Sequence, residues 1–424
     1  MSSKKQLFRW ISYGFGTSTL TRLVVLTGAR QVGKTTWARR HFNQLPYYNL
    51  DSLTVRMDLT KLPAEQWGKT VGNAVLDEIQ KEPSLFDKLK YSYDEKSISS
   101  SLLLGSSQIL LLHNIRESLA GRVFVYELFP LMASEILLEE PQENPSLILL
   151  ESLLSDNPVG TILSNIPAVW IGEKGLEVQQ TETYLLKWGG MPELLTLSDR
   201  EKEKWLAAYE ISYLEKDLAD LVRLHDLNPF KKLQRLVGLR SGQLLSYSEL
   251  AKEANLSVDT VRRYLEYLRL SYQVILLSPY HENFSSIVIK TPKVYAMDVG
   301  ILRQVTGFWG ESTGALYETY VVSEIYKWIK TLQTRVELYF YRTRSGMEVD
   351  MLIKINERFL GIEIKNRERI DKSDISSLKA LASTLKEKWI GGLCIYTGNH
   401  ILNLDKNWDI WAVPSYRLFA SKNK

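Results

Sequence analysis

Cysteine is nearly missing from this 424-residue sequence. Cys394 is the one thiol, which excludes an internal disulfide and a cysteine-built zinc cage. Five histidines leave little material for a His-rich metal centre. No apolar run approaches the ~18 residues of a membrane-spanning helix. The first residues, Met1 to Gly16, carry lysines but no apolar core, so no secretory leader is read and a cytoplasmic, reducing location is expected. Basic residues are absent between Arg122 and Lys174, a stretch that holds eight acids. Residues 1–180 contain 18 Lys/Arg against 19 Asp/Glu, whereas the whole chain has 53 against 49. The positive excess therefore lies in the C-terminal part, and a polyanionic partner should prefer it.

What is present reads as an ordinary globular chain, 45% hydrophobic and 24% charged. Its length exceeds the ~250–300 residues that one core supports. Three units are expected: residues 1–180, 181–295 and 296–424. In the first, apolar runs at Leu23–Thr27, Asn73–Leu76, Ser101–Leu104, Leu110–Leu112 and Val123–Val125 alternate with helical patterns, which predicts a parallel α/β sheet. Residues 139–160, with three prolines and several acids, read as a loop-rich lid or linker.

Gly28-Ala29-Arg30-Gln31-Val32-Gly33-Lys34-Thr35-Thr36 fits the G-x-x-x-x-G-K-[ST] loop, with an apolar strand before it and a helix after. Glycines let the backbone curl so that its N–H groups face phosphates, and the helix start adds positive potential. Lys34 is the expected contact to the terminal phosphates of ATP, and Thr35 the expected Mg2+ ligand. The alternative is a plain glycine turn. Val75-Leu76-Asp77-Glu78 puts two carboxylates at the end of a sheet strand, where open α/β sheets bind ligands. Asp77 then holds Mg2+ through water, and the catalytic Glu78 orients and deprotonates the attacking water. A carboxylate pair that merely starts a helix is the plain alternative. Ser106 or Ser107 is a candidate sensor of the terminal phosphate. Arg122 reads either as a catalytic, charge-stabilising arginine acting in cis or in trans, or as a helix cap.

The C-terminal third orders a helix bearing Glu318, a strand bearing Asp350, a strand Phe359–Lys365, and a further helix and strand. Glu363 and Lys365 are two apart and share a strand face, while Ile362 and Ile364 face the core. With Asp350 on the adjacent strand, two carboxylates and an ammonium converge. A divalent cation between Asp350 and Glu363, with Lys365 activating a water, would suit phosphodiester hydrolysis. A salt-bridged sheet face and a fold that binds DNA without cutting it are the alternatives.

Residues 244–295 read as helix, turn, helix and β-wing. Ser257 is the N-cap, Val261, Leu265 and Leu268 form the buried stripe, and Thr260, Arg262, Arg263 and Tyr267 are outward. Asp259 and Glu266 are spaced to satisfy Arg262 locally. DNA and protein contact both remain open for this element.

The loop 28–36, Leu76-Asp77-Glu78-Ile79-Gln80, Gly105-Ser106-Ser107, Leu119-Ala120-Gly121-Arg122, Trp188-Gly189-Gly190-Met191-Pro192-Glu193 and Gly361-Ile362-Glu363-Ile364-Lys365 together resemble a bacterial and archaeal AAA-type ATPase family with a C-terminal domain of unknown function. The resemblance spans nearly the whole chain. It implies an α/β fold with an N-terminal AAA+ P-loop ATPase sheet, a helical and winged-helix middle, and a C-terminal domain similar to PD-(D/E)XK nucleases. In that pattern Glu318, Asp350 and Glu363 are metal ligands, with Val349 where the family pattern has proline. The expectation is an ATP-hydrolysing switch coupled to a nucleic-acid module, for DNA in the first instance; the alternative is a regulatory ATP-binding protein that docks DNA or a protein without chemistry. Homo-oligomerisation is left open.

Overall fold

The computed structural model describes residues 7–15, 20–105, 118–138, 145–212, 227–280 and 291–421. The Leu110–Leu112 run, Ser106 and Ser107 lie outside them. The N-terminal sheet is parallel and five-stranded among the described residues: β1 (Leu23–Thr27), β2 (Tyr47–Asn49), β3 (Val75–Asp77), β4 (Ser101–Gly105) and β5 (Val123–Glu127), ordered β2-β3-β4-β1-β5. Strands β1, β3 and β4 are buried throughout, as near-continuous apolar runs require when both faces are covered. Helix α1 (Lys34–His41) follows β1 directly, so the 28–33 loop sits at the C-terminal edge of the central strand.

Residues after 145 do not form a loose linker. Short helices α2 (Leu149–Leu153) and α3 (Val159–Leu163) bury Leu149, Leu150, Leu153, Val159 and Leu163. They dock on the chain's far end: the Leu149 N–H donates to the Ala420 carbonyl (3.0 Å) and the Gly160 N–H to Asp409 (2.7 Å). The apolar content of Leu147–Leu150 outweighs the prolines around it. Helix α4 (Glu173–Trp188) then ends in the Trp188–Glu193 motif.

That motif is a joint. A side chain on Gly190 would stand 2.2 Å from the Leu131 carbonyl, and one on Gly189 would stand 2.1 Å from the Asp298 carboxylate. Leu131 N–H donates to Gly190 O (2.7 Å), and Gly190 N–H donates to Asp298 (2.7 Å). Only glycine permits such approach of backbone to backbone. The N-terminal sheet unit, α4 and the C-terminal half therefore meet at two residues.

The second sheet is mixed, with nine strands among the described residues. After β6 (Gln243–Leu244) come α5 (Tyr247–Ala254) and α6 (Val258–Leu270), then β7 (Val274–Pro279) and β8 (Lys293–Ala296). Helices α7 (Val299–Thr306) and α8 (Gly314–Leu332) precede β9 (Val336–Arg342), β10 (Glu348–Ile355) and β11 (Arg358–Lys365). Helix α9 (Ser376–Leu385) leads to β12 (Trp389–Tyr396), β13 (Leu402–Asp405) and β14 (Ile410–Pro414). The order is β13-β14-β12-β11-β10-β9-β7-β8-β6, and β7 pairs in parallel with β9. The ladder thus runs straight across residue 296. None of the described helices is long and apolar enough to cross a membrane.

Candidate functional site

Three residues of the 28–33 loop have positive φ: Gly28 at 154°, Gln31 at 60° and Gly33 at 97°. This alternation curls the chain into a concave run of amides that ends on the first turn of α1. Space around Gly33 is open, whereas a Cβ on Gly28 would meet the Leu128 carbonyl at 2.1 Å. Gly28 is therefore required by packing and Gly33 by conformation. Gly28, Ala29, Arg30, Gln31, Val32, Gly33, Lys34, Thr35 and Thr36 thus form one surface at the sheet edge. Lys34 is buried and its ammonium donates to the Gly28 and Ala29 carbonyls, 2.8 Å each.

Asp77 ends β3 beside this loop. Its Oδ2 accepts from Thr35 Oγ1 (2.6 Å) and from the Tyr47 hydroxyl (2.5 Å). Burial and the Asp77 charge hold the Tyr47 hydroxyl well above the ordinary tyrosine range. Thr35 and Asp77 are thus side by side at the loop's edge. Glu78 has a left-handed backbone, φ 56° and ψ 41°, and its N–H donates to Asp77 Oδ1 (3.0 Å). Gln80 Nε2 donates to its carboxylate (2.5 Å).

Beside the loop lies a cavity of about 660 Å³, lined by Gly33, Thr36, Trp37, Arg40, Ile136 and Pro192 among others. Arg9 closes it from the N-terminal side, bonded to Glu135 (3.2 Å) and to the Val32 (3.0 Å) and Phe129 (2.6 Å) carbonyls. On the other side of β1, Tyr272 enters from the turn after α6. Its hydroxyl donates to Glu127 (3.0 Å) and pairs with the Thr27 hydroxyl, one residue before Gly28. Tyr272 is buried and adopts φ 62°, a costly conformation for an aromatic residue. Its local sequence carries no sign of this role.

Arg122 is not brought to this site. It precedes β5, whose far end, Glu127, pairs with Thr27, so Arg122 stands at the opposite edge of the sheet. Five residues of strand separate it from the loop edge, roughly 16 Å. Its guanidinium is held by both oxygens of Asp94, at 2.7 and 2.8 Å. A cis role on the cradle is corrected by this placement.

The C-terminal carboxylates do converge, but on a lysine. Lys293 of β8 ion-pairs with Glu348, with Glu318 (3.2 Å) and with Asp350 (3.5 Å). Tyr295 donates to the same Glu318 oxygen (2.7 Å). Asp350 Oδ2 accepts from the Ile364 N–H (2.8 Å), and Lys365 pairs with Glu363 Oε1 (2.5 Å). Burial, then the Asp350 charge, push Glu318 up to about 7 and Glu363 up to about 8. Burial works against the Lys293 charge, yet the surrounding carboxylates raise it overall. Glu318 and Asp350 thus meet on the Lys293 ammonium while Glu363 pairs with Lys365, and among the described residues no three His, Cys, Asp or Glu side chains are grouped to hold a metal ion. Lys293 and Glu348 are the members that sequence reading missed. Glu348, two residues from Asp350 on one strand face, carried a legible signal, and Lys293 in an apolar strand a weaker one.

Around the helical pair, Ser257 caps α6 by accepting from the Thr260 N–H (3.1 Å), and Val261, Leu265 and Leu268 are buried. Arg262 stacks over Tyr247 at 5.2 Å, while Glu266 pairs instead with Arg269. A groove of about 800 Å³ runs between these helices and the β9–β10 turn, lined by Ser246, Ser248, Glu249, Arg262, Arg342 and Arg344 among others.

Comparison with known proteins finds three matched stretches. Residues 20–137 match the AAA domain family, residues 179–312 a domain of unknown function (DUF8612) and residues 313–416 a domain of unknown function (DUF4143). An uncharacterized protein of Mycobacterium tuberculosis is 28% identical over 411 residues, 94% of this chain and 81% of that protein. An uncharacterized protein of Methanocaldococcus jannaschii is 24% identical over 352 residues, 78% of this chain and 72% of that protein. A solved signal-transduction ATPase of Pyrococcus horikoshii overlaps 76% of this chain and 45% of its own, at 12% identity and a TM-score of 0.28, too loosely to bear on the fold. The match over residues 20–137 and the parallel strand order are consistent with a P-loop domain of the AAA type in the N-terminal module, on one chain with matches to two domains of unknown function.

Proposed function

We propose that the chain binds and hydrolyses ATP at loop 28–36 and uses the nucleotide state to reposition a nucleic-acid-docking C-terminal half. The observation that carries this is the Thr35–Asp77 hydrogen bond at the lip of the positive-φ loop. The amides of 28–34 cradle the phosphates. Lys34 exchanges the Gly28 and Ala29 carbonyls for phosphate oxygens, a stronger charge-assisted contact. Thr35 and Asp77 are the residues to hold Mg2+, which when bound neutralises phosphate charge. Glu78, with its left-handed backbone, orients and deprotonates the attacking water. The cavity beside Gly33 and Pro192 takes the nucleoside. Tyr272 ties the end of β1 to α6, and the Gly189–Gly190 joint ties Leu131 to α7, so a shift of the loop reaches the C-terminal half.

The nucleic-acid assignment, DNA in the first instance, is supported by the groove between α5, α6 and the β9–β10 turn, with Arg262 and Arg344 on its walls. Cleavage there is not part of the reading. The test of the ATPase is phosphate release by the intact chain. Lys34→Ala should lower it on the order of 100-fold. Wild-type turnover in that variant would reject the assignment. Arg262→Ala with Arg344→Ala should weaken DNA binding and flatten its salt dependence, and unchanged binding would reject the groove.

A further inference from the structure

The carboxylate cluster of the second sheet has four acids and already contains a cation of its own. Lys293 is 2% exposed. Its backbone is fixed on both sides, paired with Leu277 of β7 and Leu244 of β6, so its ammonium is delivered to one place. There it meets Glu318 Oε1 at 3.2 Å, Asp350 Oδ1 at 3.5 Å and Glu348. The remaining oxygens are largely committed. Asp350 Oδ2 takes the Ile364 N–H (2.8 Å), Glu348 Oε2 takes Arg342 (2.8 Å), and Glu363 Oε1 takes Lys365 (2.5 Å). Glu363 Oε2 is the buried carboxylate oxygen of this group with no partner. Glu318 Oε2 is likewise unpaired, both contacts of that residue going to Oε1, but two oxygens do not make a site for Mg2+ or Mn2+, which take about six ligands in near-octahedral geometry. An incoming dication would also stand against the Lys293 ammonium with no solvent between them.

We propose that Lys293 is the resident cation of this cluster, so that the C-terminal half engages its partner without a divalent metal ion. The inference is independent of ATP hydrolysis, because it concerns side chains of the second sheet alone. It also makes a definite claim about substitution. Removing the ammonium while keeping an apolar stem frees the Glu318, Glu348 and Asp350 oxygens that Lys293 now holds, and a divalent ion should then enter.

The experiment is Mn2+ titration of the full chain without nucleotide, followed by electron paramagnetic resonance, on wild type, Lys293→Met, Asp350→Asn and the Lys293→Met/Asp350→Asn pair. Wild type and Asp350→Asn should give the same Mn2+ uptake, since any ion at Thr35 and Asp77 is common to both. Lys293→Met should gain one Mn2+ per chain, and the double variant should lose it again. Uptake by wild type that falls in Asp350→Asn overturns the proposal. So does a Lys293→Met chain with wild-type circular dichroism and no added uptake. Should Lys293→Met fail to fold, the wild-type and Asp350→Asn pair decides by itself: equal uptake upholds the proposal, and a fall in Asp350→Asn ends it.

Discussion

The two polar centres of this molecule solve the same problem in opposite ways. The cradle at 28–36 is made of backbone, with positive φ at Gly28, Gln31 and Gly33, open space at Gly33, and one lysine resting on its own carbonyls. The centre at 318–365 is made of side chains, and its acids are met by Lys293, Lys365 and Arg342. A backbone cradle keeps its donors for a ligand because they cannot rotate onto one another. Flexible carboxylates and ammoniums close on themselves unless something else claims them. The first is built to bind an anion; the second is built to be stable and charge-balanced beneath a surface.

That contrast can be broken from either side. The largest effect should come from Lys293→Ala without added metal. It strands Glu318, Glu348 and Asp350 in a buried place and should cost about 3–5 kcal/mol in chemical denaturation. A loss within experimental error would mean that water reaches the cluster freely. Next is a pH effect at a third buried acid. Burial pushes Glu182 up to about 7, partly offset by its hydrogen bond from Ser415. Its folded value lies above its unfolded value near 4.5, so the contribution is full below pH 4.5 and is lost as pH rises through 7. Stability should fall across that window by on the order of 3 kcal/mol, and Glu182→Gln should flatten the fall. A Glu182→Gln curve that tracks wild type contradicts the assignment.

Gly28→Ala attacks the cradle at its one tight contact. Moving a methyl against the Leu128 carbonyl should cost about 1–3 kcal/mol and remove ATP binding, whereas Gly28 variants with intact affinity would show that the loop's packing is not what shapes it. The smallest effect is expected for Tyr272→Phe. Deleting the hydroxyl leaves Thr27 and Glu127 without that partner, at about 1–2 kcal/mol. More tellingly, ATP should then alter DNA affinity less than in wild type. Undiminished coupling would assign the route to the Gly189–Gly190 joint alone.

The cradle was legible because its information is local. Glycine spacing, an apolar strand before and a helix after fix one another within a few residues, and the same holds for the Ser257 cap and the 261/265/268 stripe. The 348–365 hairpin was legible for the same reason, since period two puts Glu363 and Lys365 on one face. What escaped depends on order in space. Arg122 follows a motif-like run, but only the β1–β5 pairing reveals that it stands at the wrong edge. Lys293 of β8 meets acids of helix α8 and of β10, with β7 and β9 between the two strands in the sheet order, and Tyr272 reaches Thr27 from 245 positions away in sequence. Neither relation leaves a periodicity. The 139–160 lid or linker reading fails over its described part, 145–160, because the prolines signal turns while the leucines bury against the chain's far end.

The most direct test of the central claim pairs binding with turnover in one variant. Glu78→Gln keeps the cradle, Lys34 and the Thr35–Asp77 pair, and removes only the base. Calorimetric titration with ATP and Mg2+ should give wild-type affinity, while phosphate release falls on the order of 100-fold. Loss of ATP binding, or turnover at the wild-type rate, would contradict the account.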